Sequence, residues 1–274
     1  MVPAHLAPGD GKSLEPDWSD FELHQIRDKS DPFFEMAFGA LWNEFGDKGE
    51  MEQVEVIADR LRWNLLQSRQ GAFLRYALVL VTHRGEFVAV RDHTVIVLED
   101  RPGAVVHMSH NLVAEKWRRS GIAGWMRAIP VSTALECLAA LKRPAGSPIT
   151  LVGEMEHLDQ SKPDTKVRLT AYEKAGFKMV DPKRVSYLQP DFRHPRDIDE
   201  SSGPIPVPLC LMLRRVGHEV EVSVSGVEVL QVVHALYRMY GVGFRESDMK
   251  VVEDSLSTYP APLEAIDLLP PTLA

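Results

Sequence analysis

Between Ala104 and Gly124 the chain reads AVVHMSHNLVAEKWRRSGIAG, and this stretch limits the fold more than any other. Val105, Val106, Met108, Leu112 and Val113 place branched and apolar residues along a half-buried strand. The pattern turns polar at Glu115 and Lys116. It then passes Arg118, Arg119, Ser120 and Gly121 into a long apolar-periodic run that reads as helix. Strand, small-residue turn and helix form a device for holding phosphate. Glycine lets the backbone approach closely and turn its N–H groups toward one point, and the helix start adds roughly half a positive charge there. A tight strand–helix connection uses the same residues, so the turn alone leaves a structural role open.

Composition narrows the class. Of 274 residues, 45% are hydrophobic and 26% charged, which suits a globular chain of one large domain or a domain with an appendage. The formal charge of −8 argues against a nucleic-acid binder, since phosphate neutralisation needs a basic face; Lys116-Trp117-Arg118-Arg119 is a local basic patch only. Cys137 and Cys210 sit in separate apolar runs and read as buried hydrophobes in a reducing cytoplasm. The first residues lack the basic start and apolar core of a signal peptide, and no apolar run reaches bilayer length, so no membrane partner is expected. Gly11-Lys12-Ser13 is not a P-loop, because Leu6 stands where the motif needs its first glycine.

Along the chain, residues 1–17 read as a flexible tail and residues 18–216 as the main domain. Residues 217–274 read as a C-terminal extension with one main helix. Trp18 to Gly46 reads as helix, with Asp31-Pro32 a start signal and Phe33 to Phe45 an apolar face; a second helix covers about Glu50 to Gln67. Phe73–Thr82 and Glu86–Val90 flank His83-Arg84-Gly85 as a hairpin, and Thr94–Leu98 is a further strand. Pro130 should kink or break the helix of Trp125–Leu141. Ile149–Leu158 is a strand, Asp159–Asp164 a polar loop, and Thr165–Ala175 a helix capped by Gly176. Strands follow over Lys178–Gln189 and Val207–Val216, with a loop over Arg193–Pro208. The C-terminal helix, Val227–Tyr240, has an apolar face of Val229, Val232, Val233, Leu236 and Tyr240. Docking on its own chain and forming a homodimer interface are equally open.

Two motifs carry a resemblance. Arg118-x-x-Gly121-x-Ala123 resembles the Arg/Gln-x-x-Gly-x-Gly/Ala signature of the GCN5-related N-acetyltransferase (GNAT) superfamily. Ala171-Tyr172-Glu173-Lys174-Ala175-Gly176-Phe177 resembles that family's second signature, a helix ending in Tyr-Glu-Lys-x-Gly-Phe, in the expected order and separation. The resemblance covers Phe73 to Val216. It implies an α+β fold, a mixed, mostly antiparallel central sheet flanked by helices, here with a C-terminal helical extension. It further implies acetyl-CoA or another acyl-CoA as co-substrate. The main chain of Leu112, Val113 and Ala114 would pair with the pantetheine arm. The turn Arg118, Arg119, Ser120, Gly121, Ile122, Ala123 and Gly124 would hold the pyrophosphate. Thr165, Arg168 and Pro130 depart from the family pattern and bear on the pantetheine channel.

The activity implied is acyl transfer to a primary amine, on a small molecule or a protein, by direct attack. Tyr172 takes the family position of the acid that protonates the departing sulfur. Glu154 is the first candidate base, with Glu156 beside it; His107, Ser109 and His110 are rivals, and strand alternation puts His107 and Ser109 on one face opposite His110. No group has a recognised metal-ligand spacing. A non-catalytic acyl-CoA-binding regulatory module and a long-chain N-acyl amino acid synthase are the alternatives.

Overall fold

The structure is a computed structural model that describes residues 18–46, 49–157 and 163–273. The tail expected over residues 1–17, Gly11-Lys12-Ser13 within it, and most of the loop expected over residues 159–164 lie outside the described residues. In chain order the elements are β1 (Phe21–Ile26), α1 (Phe34–Phe45), α2 (Val54–Leu61), β2 (Ser68–Arg69), β3 (Ala72–His83), β4 (Glu86–Leu98), β5 (Ala104–His107), β6 (Asn111–Val113) and α3 (Ile122–Ala140). There follow β7 (Ile149–Met155), α4 (Pro163–Lys174), β8 (Lys178–Val180), β9 (Tyr187–Gln189), α5 (Pro195–Asp199), β10 (Val207–Arg215), β11 (Ser223–Ser225), α6 (Gly226–Gly241), α7 (Glu246–Asp254) and β12 (Ala265–Leu269).

The described strands form one sheet in the order β1-β3-β4-β5-β7-β10-β8-β12-β11, with β2, β6 and β9 joined to β3, β4 and β10. It is mixed and mostly antiparallel: among the described strands, the one parallel pair is β5 with β7. Period-two alternation builds a layer on each face. Leu74, Tyr76, Leu78 and Leu80 of β3 join Phe34, Leu41, Val232, Leu236 and Tyr240 in a core under α1, α2 and α6. On the other face Val95, Val97 and Leu151 pack under Ala128, Val131, Ala134 and Leu169 of α3 and α4. Val79, Val81 and Ala89 meet Ile122, Met126 and Ile129 at the start of α3.

Several expectations are corrected. The helix expected from Trp18 is strand β1 until Ile26, paired with β3 from Phe21↔His83 to Ile26↔Leu78. An edge strand leaves one side open, which is why Glu22 and Gln25 fit it. The two strands expected over Glu86–Leu98 are one strand, paired along β3 through a bulge at Val81/Thr82. Of the kink or break expected at Pro130, the break is absent: α3 runs through it as one helix. A proline in a helix interior costs about 3 kcal/mol, and burial of Met126, Ile129 and Val131 around it offsets that loss. The C-terminal extension, expected to hold one main helix, also contains α7 and β12, and β12 continues the main sheet against β8.

The apolar face of α6 docks on its own chain: Val229, Val232, Val233, Leu236 and Tyr240 are all at most 2% exposed. No helix among the described residues is long and apolar enough to cross a membrane.

Candidate active site

The predicted turn is built as its residues require. Glu115–Trp117 forms a short 3-10 turn, Arg119 and Gly121 take left-handed conformations at φ 67° and 95°, and α3 begins at Ile122. Gly124 and Trp125 donate their N–H groups back to the Gly121 carbonyl. The N–H groups of Arg119, Gly121, Ile122 and Ala123 have no acceptor among the described residues. A helix start with free amides favours an anion. Arg118 and Arg119 are exposed beside it, whereas Lys116 is paired with Glu86 and the Ser120 hydroxyl donates to the Trp117 carbonyl.

Next to this turn two strands part. β5 pairs with β7 from Ala104↔Ile149 to His107↔Val152, and the last bond is Met108 N–H to the Val152 carbonyl, 2.8 Å. Beyond it the chain leaves strand geometry over Met108–His110 and re-enters as β6, which pairs with β4 alone, while β7 continues against β10. Leu112, Val113 and Ala114 therefore border an opening and keep one edge without a strand partner, the edge an extended amide chain can pair with.

Tyr172 lies near the C-terminus of α4, half-buried, on the same face of the sheet as α3. Its ring meets Phe177 edge-on at 5.0 Å, and Gly176 at φ 84° closes the helix behind it. Its hydroxyl faces a residue that sequence reasoning missed. Arg91 of β4 is fully buried, bonds Met108 Sδ at 3.2 Å, and has no acceptor for Nε or Nη2 among the described residues. Burial pushes this guanidinium below the usual arginine range, the Tyr172 phenol favours its charge, and Arg127 nearby opposes it. The signal was present: an arginine inside the apolar run FVAVRDHTVIVL.

Glu154 lies on the opposite face, 4% exposed, and is not presented as an accessible base. Its carboxylate accepts from Tyr187, from Gln189 at 3.1 Å and from Tyr240 at 2.7 Å, and sits 2.7 Å from His107 Nε2. Burial would raise its pKa, but the adjacent His107 imidazole and the bonds from His107, Tyr187 and Tyr240 bring it below the ordinary carboxylate value. Tyr240 comes from α6, so the C-terminal extension closes this network. Glu156, two residues on, is half-buried and pairs with Arg168 at 3.2 Å.

His110 does not oppose His107. The break at Met108–His110 cancels the alternation, and His110 turns to the same layer, 3.0 Å from Asp92 and 2.9 Å from the Glu50 carbonyl. Burial lowers the imidazole pKa, but Asp92 more than offsets this and raises it to about 9. Two cavities of about 410 and 420 Å³ lie elsewhere, beside Gln70 and Tyr237 and at the opposite ends of β5 and β7.

No family model and no curated protein matches the sequence. Among solved structures, the chain is similar to GNAT acetyltransferases. One is an aminoglycoside acetyltransferase from an uncultured soil metagenomic sample, 10% identical, with 56% of this chain and 86% of that one covered and a TM-score of 0.36. An aminoglycoside 6'-N-acetyltransferase complexed with coenzyme A is 13% identical over 71% of this chain and 97% of its own, TM-score 0.38. A tandem GNAT protein from the clavulanic acid biosynthesis pathway is 14% identical over 87% of this chain and 64% of its own, TM-score 0.39. Likeness at this level bears on neither substrate nor mechanism, which rest on the chain's own residues.

Proposed function

We propose that the chain is an acyl-CoA-dependent N-acyltransferase, with acetyl-CoA the simplest donor and a primary amine the acceptor. One conjunction carries the reading: free amides at the start of α3 stand beside parting strands, with Tyr172 on the same face. In this reading the amides from Arg119 to Ala123 take the diphosphate, and Arg118 and Arg119 add charge from outside. The open edge of Leu112–Ala114 pairs with the pantetheine amides, which brings the thioester to the parting. Tyr172 protonates the departing sulfur, and Arg91 stabilises negative charge on that side. The test is turnover of acetyl-CoA across a panel of amines, followed as thiol release. Release that needs both substrates and falls in Tyr172→Phe supports the reading; failure of coenzyme A to bind at all ends it.

The burial of Glu154 favours one rival, a regulatory module that holds acyl-CoA without reacting it. Thermal stabilisation by coenzyme A with no thiol release on any amine would support that rival.

A further inference from the structure

Where β5 gives way to the break before β6, three side chains join in series. Ser109 Oγ lies 3.1 Å from His107 Nδ1, and His107 Nε2 lies 2.7 Å from Glu154 Oε2. A hydroxyl within reach of a base, with that base oriented by a third group, is the arrangement that makes an alcohol nucleophilic.

The network also fixes the tautomer. The Glu154 carboxylate is acceptor-only and ionised, and Tyr187, Gln189 and Tyr240 hold it in place. In the neutral imidazole, His107 Nε2 carries its proton toward Glu154, which leaves the Nδ1 lone pair for the Ser109 hydroxyl to donate to. The side chains of His107 and Glu154 are 6% and 4% exposed, whereas Ser109 is half-buried. Ser109 is thus the member a substrate can reach, and its own N–H has no acceptor among the described residues. A simple packing role would not require a hydroxyl, an imidazole and a carboxylate aligned where the paired strands β5 and β7 separate.

We propose that Ser109 is an acyl-accepting nucleophile and that acyl transfer runs through an acyl-serine ester instead of direct attack by the amine. The choice of acyl-CoA as donor rests on the function proposed above; the activated serine does not. Ser109 Oγ attacks the thioester carbonyl carbon while its proton passes to His107 Nδ1. The carbon–sulfur bond breaks, the thiolate takes a proton from Tyr172, and the proton on His107 restores the phenol through solvent. The acceptor amine, or water, then attacks the ester carbonyl. Its surplus proton passes by way of His107 to Ser109 Oγ as the carbon–oxygen bond breaks. Glu154 is a positioning residue in both steps.

The test treats the full chain with a fluorophosphonate probe and with p-nitrophenyl acetate, then maps labelled peptides by mass spectrometry. The expected result is a label on Ser109, a p-nitrophenolate burst stoichiometric with enzyme, and loss of both in Ser109→Ala and His107→Gln whose circular dichroism matches the parent. No label on Ser109 in the folded parent, or an undiminished burst in Ser109→Ala, overturns the proposal. The two readings fail separately. Labelling of Ser109 in a protein that binds no coenzyme A would remove the donor and keep the nucleophile. Amine acylation from acetyl-CoA unchanged in Ser109→Ala would remove the nucleophile and keep the donor.

Discussion

His107 Nε2 stands 2.7 Å from Glu154 Oε2, bridging β5 and β7 at the last rung before the two strands separate. The pair links the two strands just before they part, and Tyr240 of α6 donates to the same carboxylate at 2.7 Å. Replacing Glu154 with Ala leaves His107, Gln189 and two phenols without their acceptor. The expected loss is about 3–5 kcal/mol, read from urea unfolding, with a smaller loss for Glu154→Gln. A Glu154→Ala protein as stable as the parent would show that the network contributes little.

A second buried pair predicts how stability depends on pH. His110 is raised to about 9 by Asp92 once the opposing effect of burial is offset. The Asp92 carboxyl, which burial alone would raise, is held well below its usual range by His110 and by bonds from His110 and Tyr76. A histidine raised in the folded state contributes stability that is complete below its unfolded pKa of about 6.5. That contribution fades as pH climbs through the folded value of about 9. The depressed aspartate works the other way, stabilising above its unfolded pKa of about 3.9 and failing as acid is added. Unfolding free energy should therefore decline between neutral and alkaline pH by on the order of 3 kcal/mol. His110→Gln should flatten that limb, as measured by denaturant titration at each pH.

Gly121 caps α3 with φ at 95°. A side chain there strains the backbone by about 1–2 kcal/mol and disturbs the neighbouring free amides. Gly121→Ala should lower the melting temperature and weaken coenzyme A affinity, measured by calorimetry well below that temperature. Affinity unchanged in a destabilised protein would detach the turn from ligand binding.

Tyr172→Phe keeps the edge-on contact with Phe177 and removes only the hydroxyl. A group that protonates the leaving sulfur contributes about 10²-fold or more to rate. The expected outcome is that drop in kcat with KM for the donor little changed, in steady-state assays of thiol release. A rise in KM alone would make the phenol a binding group.

Much of this architecture was legible beforehand, for reasons that particular residues show. The turn at Arg118–Gly124 and the helix end at Tyr172–Gly176 are local, set by glycine conformations and by apolar spacing within a few residues. The hairpin at His83–Gly85 and strand β10 are legible on the same ground. Trp18–Ile26 was misread because an edge strand, half open, lacks the alternation that marks a buried one. β12 was missed because its five residues are ordered by pairing with β8 and β11, neighbours that the local pattern does not reveal.

The sequence by itself determined that a strand, a glycine turn and a long helix follow one another, and that a tyrosine closes a later helix. These are short-range consequences of backbone sterics and hydrophobic period. Only the tertiary structure decided what Glu154 does. It is joined to His107 across 47 residues and to Tyr240 across 86, and a carboxylate's role is set by which donors and how much water surround it. The break at Met108–His110 was likewise decided in three dimensions, because a strand's alternation holds only while a neighbour pairs with it. That break leaves Ser109 beside His107, as their spacing predicts, and turns His110 onto their layer, away from the face its own spacing predicts.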